Sequence, residues 1–576
     1  MLTRRTQFEI LNAELENERS SFIAHWRDLN DYIFPRRARF ETTDINRGEK
    51  RNYKIIDSTA TLAARTLRSG LMGGITSPAR PWFRLTTSDP QYAEVGNVKN
   101  WLHQVNQRMI TVFLKSNLYN VLPILYGDIG IFGTGAIYME EDFKDVIRFY
   151  SLPIASYSIG LNQRGNVDVI VRTFQMTIRQ IVDMFAKRIG NEIDWSNISE
   201  YVKNHYDNHH YELYVEVRHV IRPNPNHDPR KLSAKFKKYE SVYYETGNTP
   251  TRGMGNYMNN VDDLFLRESG YDLFPVLCPR WEVTGEDTYG TKCPAMDCLG
   301  DIKQLQLQEK RIAQGIEKII NPPMTGPTSL KTQKASILPG DITYVDAREG
   351  QTGFRTAHEV RISIAEIEAK QQQIRQRISR CFYEDLFLMM ANEDRRQITA
   401  TEIAERKEEK LLALGPMLEQ LNQDLLDPLI DNTFEIMARQ GLVPTPPDEL
   451  QGMDLKVEYI SIMAQAQKLV GLGGIERFTG YVGNLVQAKP DILDKVDIDQ
   501  LVDTYGDITS VPPDIIRSDE DVEKIRAERQ AAIAQQQRMD SMQQAGGMAK
   551  DLSQAKIEDG NALNALLTGA AGAGGA

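Results

Sequence analysis

Residues 392–440 read NEDRRQITATEIAERKEEKLLALGPMLEQLNQDLLDPLIDNTFEIMARQ, and this stretch sets the architecture. Thr399-Ala400-Thr401-Glu402 forms a capping box, in which the Thr399 hydroxyl accepts an N-terminal amide and Glu402 reaches back to the cap. Leu411, Leu414, Leu418, Leu421, Leu425 and Leu429 then recur along one side. The spacing predicts one helix from Thr399 to about Gln440, with Gly441 as its stop. At near 40 residues it spans roughly 60 Å. Pro416 and Pro428 lie inside it and each removes an intrahelical hydrogen bond, so kinks are expected at both. A helix this long and amphipathic needs a bundle or a neighbouring subunit to cover its apolar face.

Immediately before it lies the polar break Ala391–Ile398, with Asn392, Glu393, Asp394, Arg395 and Arg396. On charge and spacing alone this is a solvent-exposed turn with helix-end charge compensation. The alternative is contact with a phosphate backbone that reads no bases. Upstream, Glu359–Met390 predicts a second long helix, with Ile367, Ile374, Ile378, Phe382 and Leu388 near one face. Asp297–Ile320 predicts another, rich in glutamine and lysine, with Ile302, Leu305, Ile312, Ile316 and Ile319. Between the two, Asn321–Glu349 is rich in Pro, Gly and Thr, with a short strand candidate at Ile342–Val345.

The N-terminal part begins with helices. Thr6–Asn30 carries a one-sided stripe of Phe8, Leu11, Leu15, Phe22, Trp26 and Leu29, and Asp57–Met72, Val98–Asn117 and Tyr119–Phe132 follow. After Gly133-Thr134-Gly135 the period changes, and Ala136 to about Arg280 reads as sheet. Ala136–Glu140 pairs with Val146–Leu152, and Arg164-Gly165-Asn166 turns a hairpin between Ser158–Asn162 and Val167–Phe174. Thr177 caps a short helix through Lys187. Tyr211–Val217, Phe236–Glu245, Leu264–Glu268 and Leu273–Cys278 add strands, making the fold class α+β. Beyond Pro444 the reading is of shorter helices, Ser461–Leu472, Ile475–Val486 and Ile498–Tyr505. A charged helix at Glu523–Met539 and an Ala/Gly-rich tail from Gly546, expected to be disordered, complete the chain.

The 576 residues carry a net charge of -11, which argues against a protein that coats nucleic acid with a basic surface. A wall that DNA passes without being gripped remains compatible with it. The basic start Met1–Ile10 meets Glu9, Glu14, Glu16 and Glu18 and no apolar run develops, so no secretory signal is expected. Cys278, Cys293, Cys298 and Cys381 are too few for a disulfide scaffold and read as buried free thiols.

No motif for chemistry emerges. Gly471, Gly473 and Gly474 lack the lysine and preceding strand of a phosphate loop. His205, His209 and His210 put two imidazoles on one helical turn, yet no cysteine or carboxylate pattern completes a zinc site, and the stretch reads as a polar loop before the Tyr211 strand. Glu140-Glu141, Asp262-Asp263 and Asp519-Glu520-Asp521 with Glu523 read as solvated surface rather than two-metal ligands. Catalytic, cofactor-binding and metal residues are therefore all expected to be none.

Three further stretches carry a resemblance. They are Gln397–Ile403 continuing through Leu414-Gly415-Pro416 to Asp427-Pro428-Leu429-Ile430, then Ser69–Pro78 through Arg80-Pro81-Trp82-Phe83, and Tyr289-Gly290 leading to Leu299-Gly300-Asp301. In these the chain resembles the portal, or head-to-tail connector, proteins of short-tailed double-stranded DNA bacteriophages. The resemblance implies a portal fold with wing, stem, clip and crown regions, assembled as a homo-oligomeric ring, usually of twelve subunits, at the head–tail vertex of the virion after synthesis in the host cytoplasm. It implies a wing at 1–296, stem helices at 297–320 and 356–388, and a clip at 321–355. A channel loop at 389–398, a long helix at 399–443, a crown at 444–517 and a tail at 518–576 complete the map. Asn392, Glu393, Asp394, Arg395 and Arg396 would face double-stranded DNA, which passes nonspecifically. The implied role is genome packaging and ejection without enzymatic activity, with a separate terminase motor, a tail adaptor, and capsid and scaffolding proteins as partners, no membrane and no cofactor. A tail adaptor or tube component is the alternative ring, and a metal-dependent DNA enzyme the alternative chemistry.

Overall fold

The computed structural model describes residues 3–43, 48–89, 96–189, 192–246, 264–322, 324–325, 355–356, 364–391, 414–450, 455–460, 478–483, 485, 495–509 and 519–554. The chain divides into two compact units, Met1–Ala93 with Asn97–Ile475, and Glu94–Gly96 with Glu476–Ala576.

The larger unit is an α+β body organised around the helix Leu118–Phe132. That helix has no polar stripe, and a helix apolar all round belongs in a core. It buries Leu118, Leu122, Leu125, Tyr126, Ile129 and Phe132. Its buried Asp128 is answered by Arg37, whose Nε donates at 2.7 Å and whose guanidinium also reaches the Ser151 hydroxyl and the Leu152 carbonyl. Thr59–Ile75 lays a small-residue face, Ala60, Ala63, Ala64 and Leu67, into the same core. Trp26 of the helix Arg4–Tyr32 donates its indole N–H to the Phe132 carbonyl at 3.1 Å.

The sheets follow the period-two segments. Ala136–Asp142 is central between Val276–Leu277 and Val146–Leu152. A five-stranded antiparallel sheet runs in the order Arg267–Tyr271, Tyr239–Glu245, Tyr214–Pro223, Val167–Thr177 and Tyr157–Leu161. Thr177 caps the helix Ile178–Phe185 in a capping box with Gln180, so that helix ends two residues before the expected Lys187.

Three elements depart from the sequence reading. Leu455–Tyr459, read as part of a helical region, is a strand antiparallel to Phe83–Thr87, with Phe83 opposite Tyr459 and Arg84 bonded to Glu458 at 2.6 Å. Only Leu455, Val457 and Tyr459 alternate there, and the pairing partner lies far back in the chain. The single helix expected over Glu359–Met390 is two, Ile364–Cys381 and Glu384–Ala391, broken at Tyr383, whose φ is 55°. Phe382, Leu386 and Phe387 stay buried across the break, so the apolar spacing carries no trace of it. The C-terminal helix is longer than expected, one element of 36 residues over Asp519–Gln554 that continues through Gly546-Gly547. Its Ala, Gln, Lys and Met content offsets a glycine cost of about 1 kcal/mol each.

The smaller unit holds that helix and Ile498–Thr509, joined by a two-pronged ion pair from Arg526 to Asp499 at 2.6 and 2.7 Å. Residues 461–472, 342–345 and 555–576, where a helix, a strand and the tail are expected, lie outside the described residues.

Candidate functional site

Leu299–Ile320 and Ile364–Cys381 form an antiparallel helical hairpin. The direction follows from the side-chain pairing. Asp301 pairs with Arg377, and about two turns further on Glu309 takes the amide of Gln371 and the guanidinium of Arg375. Beyond the helices, Met324–Thr325 pairs antiparallel with Arg355–Thr356, closing a neck.

The hairpin is fixed to the body at its base. Leu299, Ile302 and Leu305 are buried, and Gln306, on the same face, is only 5% exposed. Its Oε1 accepts from the amides of Ile56 and Asp57 at 2.7 and 2.9 Å, while its Nε2 donates to the Asp57 carbonyl at 2.7 Å. One side chain thus satisfies the backbone ahead of the helix Thr59–Ile75, whose first amides have no intrahelical partner. Arg375 Nε donates to Asp57 Oδ2 at 3.0 Å. Further out, Leu307, Ile316, Ile319 and Ile320 remain exposed.

Burial alone would raise the Asp57 carboxyl, but bonds from Thr59 and the Arg375 guanidinium outweigh it and hold it below the ordinary 3.8. A depressed carboxyl contributes stability that is present above its unfolded pKa and is lost as pH falls through its folded one. Arg375→Ala is therefore expected to lower stability by about 1 kcal/mol at neutral pH, a modest figure because the guanidinium is partly exposed. The gap from wild type should close in acid below the ordinary carboxylate range. Thermal midpoints of both proteins across pH test this, and a gap independent of pH would remove Asp57 from the account.

The hairpin's second helix ends at Tyr383, which stacks on Trp281 at 6.4 Å between ring centres. In the next helix the Phe387 ring occupies the space a side chain on Gly70 would need, since a Cβ there would lie 2.1 Å from it. That helix leads toward residue 392.

The long helix is described from residue 414. It is α-helical to 421, π-helical over Asn422–Leu426 and α-helical again over Asp427–Arg439, before Gly441 at φ 70°. Its buried face is Leu414, Leu418, Leu421, Leu425, Leu429, Ile430 and Met437. The ring of Pro428 would collide with the carbonyl of residue 424 in a regular α-helix, and the π turn widens the backbone there. Asp424 projects from this turn onto Arg280. The guanidinium donates from Nε at 3.0 Å and from a terminal nitrogen at 3.2 Å, and also reaches the Gly165 carbonyl at 2.9 Å. Gln420 adds a bond to Asp424 at 2.9 Å. Both charged side chains are almost wholly buried, at 4% and 6% exposure.

Of the residues singled out in the sequence, Pro416 and Pro428 lie within this helix. Asn392, Glu393, Asp394, Arg395, Arg396, Thr399 and Glu402 lie outside the described residues. Sequence reasoning passed over Asp57, Gln306, Arg375, Arg280 and Asp424. Gln306 had a readable signal, a polar side chain one turn after Ile302 on an apolar face. The Arg280–Asp424 pair joins distant segments and has none. Among the described residues no group of three or more His, Cys, Asp or Glu is placed to hold a metal ion, and no helix is long and apolar enough to cross a membrane.

A family model described as bacteriophage head to tail connecting protein matches residues 5–516. The portal protein of Salmonella phage epsilon15 is 48% identical over 558 residues, covering 97% of both chains. A probable portal protein of Bordetella phage BPP-1 is 43% identical over 525 residues, 91% of both. These matches run through sheets, hairpin and long helix alike, and on that breadth the chain belongs to the bacteriophage head to tail connecting protein family.

Proposed function

We propose that this chain is one subunit of a portal ring, the structural connector at the head–tail vertex through which a phage genome is packaged and ejected. The observation that carries the reading is the antiparallel hairpin seated on an α+β body, in a chain that matches a phage portal protein over 97% of its length. The two helices are its stem, the insertion at 321–355 its clip, and the α+β part its wing. Leu307, Ile316, Ile319 and Ile320, exposed on the single chain, are then covered by neighbouring copies. We assign the ring twelve subunits and no catalytic role. A separate terminase motor consumes ATP and docks with the clip, which later receives the tail adaptor, while capsid and scaffolding proteins surround the wing. Double-stranded DNA passes nonspecifically, and the net charge of -11 per chain limits sticking.

The loop bearing Asn392, Glu393, Asp394, Arg395 and Arg396 faces that DNA in this reading, with Arg395 and Arg396 meeting phosphates rather than bases. Electron micrographs of the purified chain should show rings with a central channel, and a stable monomer would overturn the proposal. Arg395→Ala with Arg396→Ala should leave ring formation intact and reduce the DNA packaged or retained. Loss of rings instead would assign the two arginines to subunit contacts.

A further inference from the structure

The helix Glu200–Asp207 ends in a Schellman motif. The amide of His210 donates to the His205 carbonyl at 2.9 Å, and the amide of His209 to the Tyr206 carbonyl at 3.0 Å. The motif needs a left-handed residue after the cap, a place usually taken by glycine, and here it is His209 at φ 64°. Its geometry brings the side chains three positions before the helix end and two after it together, a contact normally made by two apolar residues. In this chain those residues are His205 and His210. Their Nδ1 atoms face each other at 3.2 Å, on an exposed corner of the wing.

We propose that His205 and His210 form a site for a borderline divalent transition metal ion, Zn2+, Ni2+ or Cu2+. Two N–H groups cannot point at one another across that gap, so the pair holds at most one proton between the two nitrogens, and a cation can replace it. With metal–nitrogen bonds of about 2.05 Å, a nitrogen separation of 3.2 Å corresponds to an angle at the metal of roughly 100°, close to tetrahedral. Imidazole nitrogen selects these ions over Mg2+ and Ca2+, which take oxygen ligands. The carbonyl end of the helix adds a negative field that favours a cation. The Tyr201 ring packs edge-on against His205 at 4.5 Å and limits its rotation. The remaining coordination positions are filled by water, which leaves the site open.

The test is equilibrium dialysis of the untagged full chain against Ni2+, with Cu2+ spin resonance to count coordinating nitrogens. One ion per chain with two nitrogen ligands is expected at the strongest site, and no competition from Mg2+. Loss of an outer-sphere partner alone costs metal sites roughly 10–100-fold. His205→Ala and His210→Ala should therefore each weaken binding by more than about tenfold. His209→Gly keeps the turn and both ligands, and His227→Ala lies elsewhere, so both should bind as wild type does. Unchanged affinity in either alanine variant with the circular dichroism of the wild type, or loss of binding in His209→Gly, overturns the assignment.

Discussion

Arg280→Ala is expected to destabilise the protein by about 3–5 kcal/mol, read as a large fall in its thermal or denaturant midpoint. The pair it breaks lies in the core, where Asp424 would be left charged with Gln420 as its remaining partner and the Gly165 carbonyl would lose its donor. An uncompensated buried carboxylate costs far more than the pair contributes relative to apolar residues of similar shape. Arg280→Met combined with Asp424→Leu should therefore recover most of the loss, although each change alone is harmful. A cost under about 1 kcal/mol for Arg280→Ala would mean that water reaches the pair and that it behaves as a surface ion pair.

Gly290→Ala should cost about 3 kcal/mol, the upper end of the range for overpacking. A Cβ on Gly290 would lie 2.1 Å from the Gly133 carbonyl oxygen and 2.7 Å from its carbon. Neither backbone is free to move. Gly133 ends the core helix at φ 75°, and its carbonyl accepts the Trp281 amide at 2.8 Å. The Gly290 amide donates to the Thr134 hydroxyl at 2.7 Å, and the preceding Tyr289 is fully buried against Phe22 and Trp26. Gly73→Ala is the matched control. It sits in the helix Thr59–Ile75 with nothing within 4 Å of a new Cβ, so a gain of about 0.5–1 kcal/mol is expected. Equal losses at both positions would show that the close approach at Gly290 is not what governs its cost.

These two cases mark how far the chain could be read without coordinates. Elements with a local cause were legible. The apolar Leu118–Phe132 helix, the hairpin turned at Gly165 and the cap at Thr177 each follow from residues within a few positions. The two helices around a Pro/Gly-rich insertion were legible as elements, but their antiparallel pairing through Asp301, Glu309, Arg375 and Arg377 was not. What escaped reading depends on partners far apart in sequence. Leu455–Tyr459 becomes a strand because Phe83–Thr87 offers it an edge, and Tyr383 breaks a helix because Phe387 fits against Gly70. The resemblance reached Tyr289-Gly290 without a reason for it, and the contact with Gly133 supplies one.

The π turn at Asn422–Leu426 has a consequence for how the chain tolerates changes in length. A π turn holds one residue more than the α-helical turn it replaces, so it acts as a phase shifter between the helix before it and the helix after it. Deleting one residue there would let the backbone relax to a continuous α-helix with little local damage. Everything beyond would then rotate by about 100° about the helix axis. Leu429, Ile430, Thr433 and Met437, now buried, would swing toward solvent together, and polar neighbours would take their places. The helix would remain well formed and face the wrong way, so a deletion in this turn is silent in secondary structure and ruinous to docking.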